Sequence, residues 1–74
     1  MACVVATVCA LQSYHAEEAT ELTFKEGDTI SVLSKEEANW WYGVAEDGRE
    51  GYFPVDYVTE VKRFAMIFSW LETK

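Results

Sequence analysis

The chain has 74 residues, half of them hydrophobic, with 13 acidic against 6 basic side chains and a formal net charge of −7. That length allows one small domain, near the lower limit at which a hydrophobic core suffices without help. The acidic balance argues against nucleic acid or anionic membrane as the main partner, since both need basic surface; it suits a partner carrying Lys or Arg, and no stretch approaches the roughly 20 apolar residues of a membrane span.

The N-terminal run MACVVATVCAL lacks the basic start of a signal peptide and leads directly into patterned sequence, so it reads as a first strand. Val4, Ala6, Val8 and Ala10 fall on one face and Val5, Thr7, Cys9 and Leu11 on the other. Both sets are largely apolar, so the buried parity is open. A strand holding Cys3 and Cys9 puts them on the same face but about 20 Å apart, too far for a disulfide. They read as reduced small hydrophobes, and the expected location is intracellular and cytoplasmic, at the inner membrane or cytoskeleton where partners bring it there. One histidine and two separated cysteines make no zinc ligand set, and no cofactor is expected.

Residues 13–21 are polar and acidic and read as a long loop, with His15 as an exposed loop side chain. Leu22 to Phe24 is an apolar–polar–apolar piece that can anchor the end of that loop. In Lys25 to Asp28, Gly27 stands where a turn wants positive φ, and TISVL then points Ile30 and Val32 one way. SKEEAN is a second polar loop.

The next strand runs from Trp40 to Ala45. Neighbouring side chains of a strand point to opposite faces, so Trp40 and Trp41 cannot both be core. Asp47-Gly48 signals a hairpin. A fourth strand covers Glu50 to Phe53, stopped by Pro54, whose missing N–H suits a strand end. VDYV reads as a tight turn into a last short strand near Val58 and Thr59. Five short strands with two acidic loops predict a compact all-β barrel or sandwich, and a barrel disposes of exposed edges. The expected core includes Phe24, Ile30, Val32, Trp41, Val44, Phe53 and Val58.

The order of these pieces resembles the Src-homology 3 (SH3) domain family. ALQSY (Ala10 to Tyr14) stands where the family usually has Ala-Leu-Tyr-Asp-Tyr. ELTFKEGD (Glu21 to Asp28), WWYG, and GYFPVDYV (Gly51 to Val58) match further family segments. Four motifs in order, covering about residues 6 to 60, are specific together. The resemblance implies an all-β, five-stranded SH3-like barrel over residues 1–61 that binds proline-rich, PxxP-type peptides in signalling, cytoskeletal or endocytic proteins and has no catalytic activity. It implies that Trp40 is the exposed ligand-binding tryptophan, with Tyr14, Pro54 and Tyr57 building the groove beside it. Glu17, Glu18 and Glu21 lie on the first long loop and Glu36 and Glu37 on the second, and Glu21 matches the family's acid for a ligand Arg or Lys.

The chemistry of these side chains agrees with that implication. A proline-rich segment is already extended, so it loses little entropy on binding. Flat aromatic walls pack on its rings, Trp N–H and Tyr O–H donate to its carbonyls, and carboxylates fix its direction through a basic residue. An enzyme would need a nucleophile, a base and a concave site, and no such set stands out.

Three positions depart from the family pattern, and Ser13 in place of an aspartate is the mildest. Gln12 replaces a tyrosine that usually walls the outermost proline pocket with the residue at Tyr57. Asp56 replaces an asparagine whose amide donates to a ligand carbonyl; a carboxylate cannot donate, and instead welcomes an N–H or an extra basic side chain. Residues 62–74, KRFAMIFSWLETK, form an apolar extension whose helical spacing groups Phe64, Phe68 and Leu71, with Ile67 and Trp70 on an adjoining stripe. A short C-terminal helix is expected there, packing on the barrel, on another domain or on a second copy. The alternative function is therefore an atypical domain making intramolecular or fixed-partner contacts, regulatory or dimerising, through this tail and a non-standard groove.

Overall fold

A computed structural model describes residues 3–61; the expected C-terminal helix and its contacts through Phe64, Phe68, Trp70 and Leu71 lie outside the described residues. The chain forms five strands, β1 (Ala6–Ala10), β2 (Thr29–Ser34), β3 (Trp40–Ala45), β4 (Glu50–Pro54) and β5 (Val58–Glu60), with a 3-10 turn at Val55–Tyr57. They pair antiparallel in the order β4-β3-β2-β1-β5. The single sheet curls around one core, which is the expected all-β, SH3-like architecture.

Register decides the parity that the first strand leaves open. Val8 pairs with Ile30 and Ala10 with Val58, so the even-numbered face of β1 joins the core, while Val4, Val5 and Leu11 stay exposed. The buried cluster is Val8, Ala10, Leu22, Phe24, Ile30, Val32, Ala45, Phe53 and Val58, with Ala6, Tyr14, Trp41 and Tyr57 packed against it from partly buried positions. Val44 corrects the expectation: it pairs with Ser31 and the exposed Glu50 on the outer face. Ala45, opposite Ile30, takes the inward place. Trp41 and Val44 have opposite parity, so one strand cannot bury both on one face.

The two turns follow from their glycines. Gly27 and Gly48 have φ of 92° and 95°, and no other described residue has positive φ. Asp47 keeps ordinary backbone, so the β3–β4 hairpin turns on Gly48 alone, closed by Ala45 N–H to the Arg49 carbonyl at 2.8 Å. Pro54 belongs to β4 rather than just following it, paired with Trp40 at the strand's last position, where a missing N–H costs least.

The long first loop is tied down at both ends. Tyr14 and Phe24 exchange backbone hydrogen bonds of 2.9 and 3.0 Å, closing its base. Near its end, Tyr52 N–H donates to the Thr20 carbonyl at 2.9 Å and Leu22 N–H to the Tyr52 carbonyl at 2.8 Å, which lays the loop along β4. Leu22 and Phe24, only 1% and 2% exposed, are the apolar anchors. Gly51 permits this close approach, because a Cβ there would stand 2.7 Å from the Glu21 carbonyl carbon.

Candidate functional site

The β3–β4 register sorts the paired tryptophans. Trp41 lies opposite Phe53, which is fully buried, and packs against the core; Trp40 lies opposite Pro54 on the outer face. Lys35 Nζ sits 4.4 Å from the Trp41 ring centroid and pairs with Glu60, so the partly exposed side of Trp41 is capped by a cation.

Around Trp40 the fold gathers an aromatic row. The Tyr14 ring centroid is 6.2 Å from that of Trp40 at 72°, and 5.3 Å from that of Tyr57 at 81°, both edge-on. Three distant pieces of chain deliver these rings: the base of the long loop, the start of β3 and the 3-10 turn. The turn is held to the approach of β3 by Val55 N–H donating to the Asn39 carbonyl at 2.9 Å.

Beside the row lies an open depression of about 240 Å³ lined by Thr20, Glu21, Glu37, Trp40 and Tyr52. Within that lining, Glu21 is held by hydrogen bonds. Its Oε1 accepts from the Tyr14 hydroxyl at 2.7 Å and from Glu17 N–H at 2.9 Å. The Glu17 N–H, and after it the Tyr14 hydroxyl, hold the Glu21 carboxyl below the usual carboxylate range. The same bond, with partial desolvation and nearby negative charge, pushes Tyr14 up to about 12. At neutral pH the pair is therefore a neutral phenol donating to a carboxylate.

Of the residues singled out from the sequence, Tyr14, Trp40, Pro54, Tyr57, Glu21 and Glu37 come together here. Glu17 contributes its backbone N–H, and Glu18 its carbonyl, which accepts from Glu21 N–H at 3.0 Å. Glu36 is exposed and does not line the depression. Gln12 and Asp56 are exposed near the Tyr57 end, where Leu11 N–H donates to the Tyr57 carbonyl at 2.7 Å. Two lining residues were absent from the sequence reading. Tyr52, 45% exposed, shares the outward parity of Pro54 and so was detectable by strand alternation; nothing in the sequence marks Thr20.

Another depression, about 170 Å³, is lined by Asp28, Thr29, Ala45, Glu46, Asp47 and Arg49. It has no aromatic wall, and its cation is engaged by Asp47 at 2.7 Å, which also keeps the Asp47 carboxyl below its ordinary range. The aromatic row is the better candidate.

The comparisons with known proteins converge on one family. The SH3 domain profile matches residues 9–55. The chain is 48% identical over 54 residues to Acanthamoeba castellanii myosin heavy chain IB and 45% identical over 51 residues to mouse Jouberin, matches that take in 73% and 69% of this chain. It spans only 5% of the length of each of these relatives. Among solved structures it is similar to the C-terminal SH3 domain of Entamoeba histolytica Myosin IB bound to EhFP10(GEF) peptide, with a TM-score of 0.71 at 43% identity, covering 76% of this chain and 92% of that one. With the motifs, the curled five-stranded sheet and the profile in agreement, this chain belongs to the SH3 domain family.

Proposed function

We propose that this domain is a protein-interaction module that binds a proline-rich peptide along the Tyr57–Tyr14–Trp40 row, with a flanking Arg or Lys of the ligand in the depression between Glu21 and Glu37. The observation that carries this reading is the tie between row and acid: Tyr14 faces Trp40 and Tyr57 and bonds Glu21 through one hydroxyl. Ring walls suit pyrrolidine, and the carboxylate beside them suits the cation, so one rigid unit reads both features. The structural relative with a bound peptide supports the same use of the fold.

We further place the domain in a longer protein that works at the cytoskeleton or in trafficking, given a myosin heavy chain at 48% identity and a class E vacuolar protein-sorting machinery protein at 40%. The test is an NMR titration of the labelled chain with Arg-flanked proline-rich peptides. The Trp40 indole N–H and the amides of residues 17–21 should shift saturably at micromolar peptide. If no peptide moves Trp40 even near millimolar concentration, peptide recognition by this surface is wrong.

A further inference from the structure

We infer that the Tyr57 end of the aromatic row takes a lysine or arginine of the ligand, so that the preferred partner is a proline-rich segment with a cation at both ends. This rests on the peptide-binding reading above and specifies the ligand class.

Asp56 lies in the turn Val55–Tyr57, directly beside Tyr57, and is exposed. Among the described residues it makes no ion pair; Lys35 pairs with Glu60 and Arg49 with Asp47. Gln12 follows Leu11, whose N–H is bonded to the Tyr57 carbonyl. Chain adjacency therefore brings a carboxamide and a carboxylate to this end of the row, alongside its one ring.

A second ring would be needed to clasp a pyrrolidine against Tyr57, and the position beside it holds Gln12 instead. A carboxylate only accepts hydrogen bonds, whereas a proline offers a carbonyl and no N–H. Asp56 is thus mismatched to a prolyl unit and matched to a cation. The alkyl stem of Arg or Lys can lie on the Tyr57 ring while its head meets the carboxylate. The opposite end already has Glu21 and Glu37, so both ends are acidic. The two ring steps, 5.3 and 6.2 Å, bound the row at no more than about four residues of polyproline II at about 3.1 Å each. A ligand with cations bracketing a core of about that length meets both acidic ends at once.

The experiment uses the 74-residue chain and four peptides sharing one proline core, with Arg at both ends, at either end alone, or at neither, titrated through the Trp40 indole signal. The doubly basic peptide should bind about two- to fivefold more tightly than the better singly basic one, as expected of an exposed ion pair, with the difference shrinking as salt is raised. Asp56→Asn should abolish the gain from one arginine and spare the gain from the other, and Asp56→Lys should make that arginine unfavourable. The inference is overturned if the second arginine adds nothing, or if Asp56→Asn weakens all four peptides equally. If none of the four moves Trp40, the peptide-binding reading falls and takes this one with it, an outcome distinct from tight but singly basic recognition.

Discussion

The Tyr14 hydroxyl donates to Glu21 Oε1 at 2.7 Å, joining the aromatic row to the acidic loop across seven residues of chain. Both partners need their tertiary position to meet. Tyr14 is held by its backbone pairing with Phe24, and Glu21 by the lashing of Thr20 and Leu22 to Tyr52. Tyr14→Phe keeps the ring and removes the donor. Glu21 should then titrate nearer the ordinary carboxylate range, and affinity for Arg-flanked peptides should fall while binding to uncharged proline peptides changes little. Carboxyl NMR titration and parallel binding curves check both.

The same bond has a pH signature. Glu21 is depressed, so its contribution is present above the ordinary carboxylate pKa and is lost as pH falls through the lowered value. Tyr14 is raised, so its contribution is complete below its ordinary pKa of 10.0 and is lost as pH climbs toward about 12. The difference in Tm between wild type and Tyr14→Phe should therefore be greatest between these windows and should vanish at both extremes. A constant difference across the alkaline limb would show that the hydroxyl bond contributes nothing.

The neighbouring tryptophans should separate cleanly. Trp40→Ala removes an outer ring and should weaken peptide binding by about 2 kcal/mol or more, near thirtyfold, with little loss of Tm. Trp41→Ala opens the core flank opposite Phe53 and should cost about 2 kcal/mol of stability, seen as a lower urea midpoint. Equal effects of both substitutions on binding and stability would contradict the two-face assignment.

Gly51→Ala should destabilise by about 1–3 kcal/mol, because something must yield to its new methyl. The obstacles are backbone, the Glu21 carbonyl carbon at 2.7 Å and Leu22 N at 2.8 Å. Since the segment pushed aside carries Glu21, the discrimination for Arg-flanked peptides should decline together with stability. Chemical denaturation and peptide titration on one sample test that coupling.

Leu22→Ala removes a fully enclosed anchor of the same loop, at 1% exposure, and should cost about 2–5 kcal/mol. Hydrogen exchange should then accelerate at Leu22 and Tyr52, whose N–H groups make the lashing bonds, before it does at the β1–β2 ladder. Uniform acceleration would mean that the loop is no separate unit of stability.

Much was legible in the sequence because strand alternation and turn chemistry are local. Gly27 and Gly48 announced their turns, Ile30 and Val32 their common face, and Pro54 the end of a strand. The four family-like segments announced the fold and the row of Tyr14, Trp40 and Tyr57. What escaped depends on pairing between distant strands. β1 carries apolar residues on both faces, so only its register against Ile30 and Val58 selects Val8 and Ala10 for the core and leaves Val4, Val5 and Leu11 exposed. Val44 looks more like core than Ala45 by hydrophobicity, yet Ala45 stands opposite Ile30 and Val44 opposite Glu50. Tyr52 and Thr20 enter the depression only because the long loop lies down on β4, and Glu36 stays away from it although it adjoins Glu37. The amino-acid pattern alone determined which residues alternate, where the chain turns and which rings exist to be gathered. Which face is buried, and which acid meets which ring, was decided by the tertiary structure, because burial and hydrogen-bond partnership belong to pairs of segments.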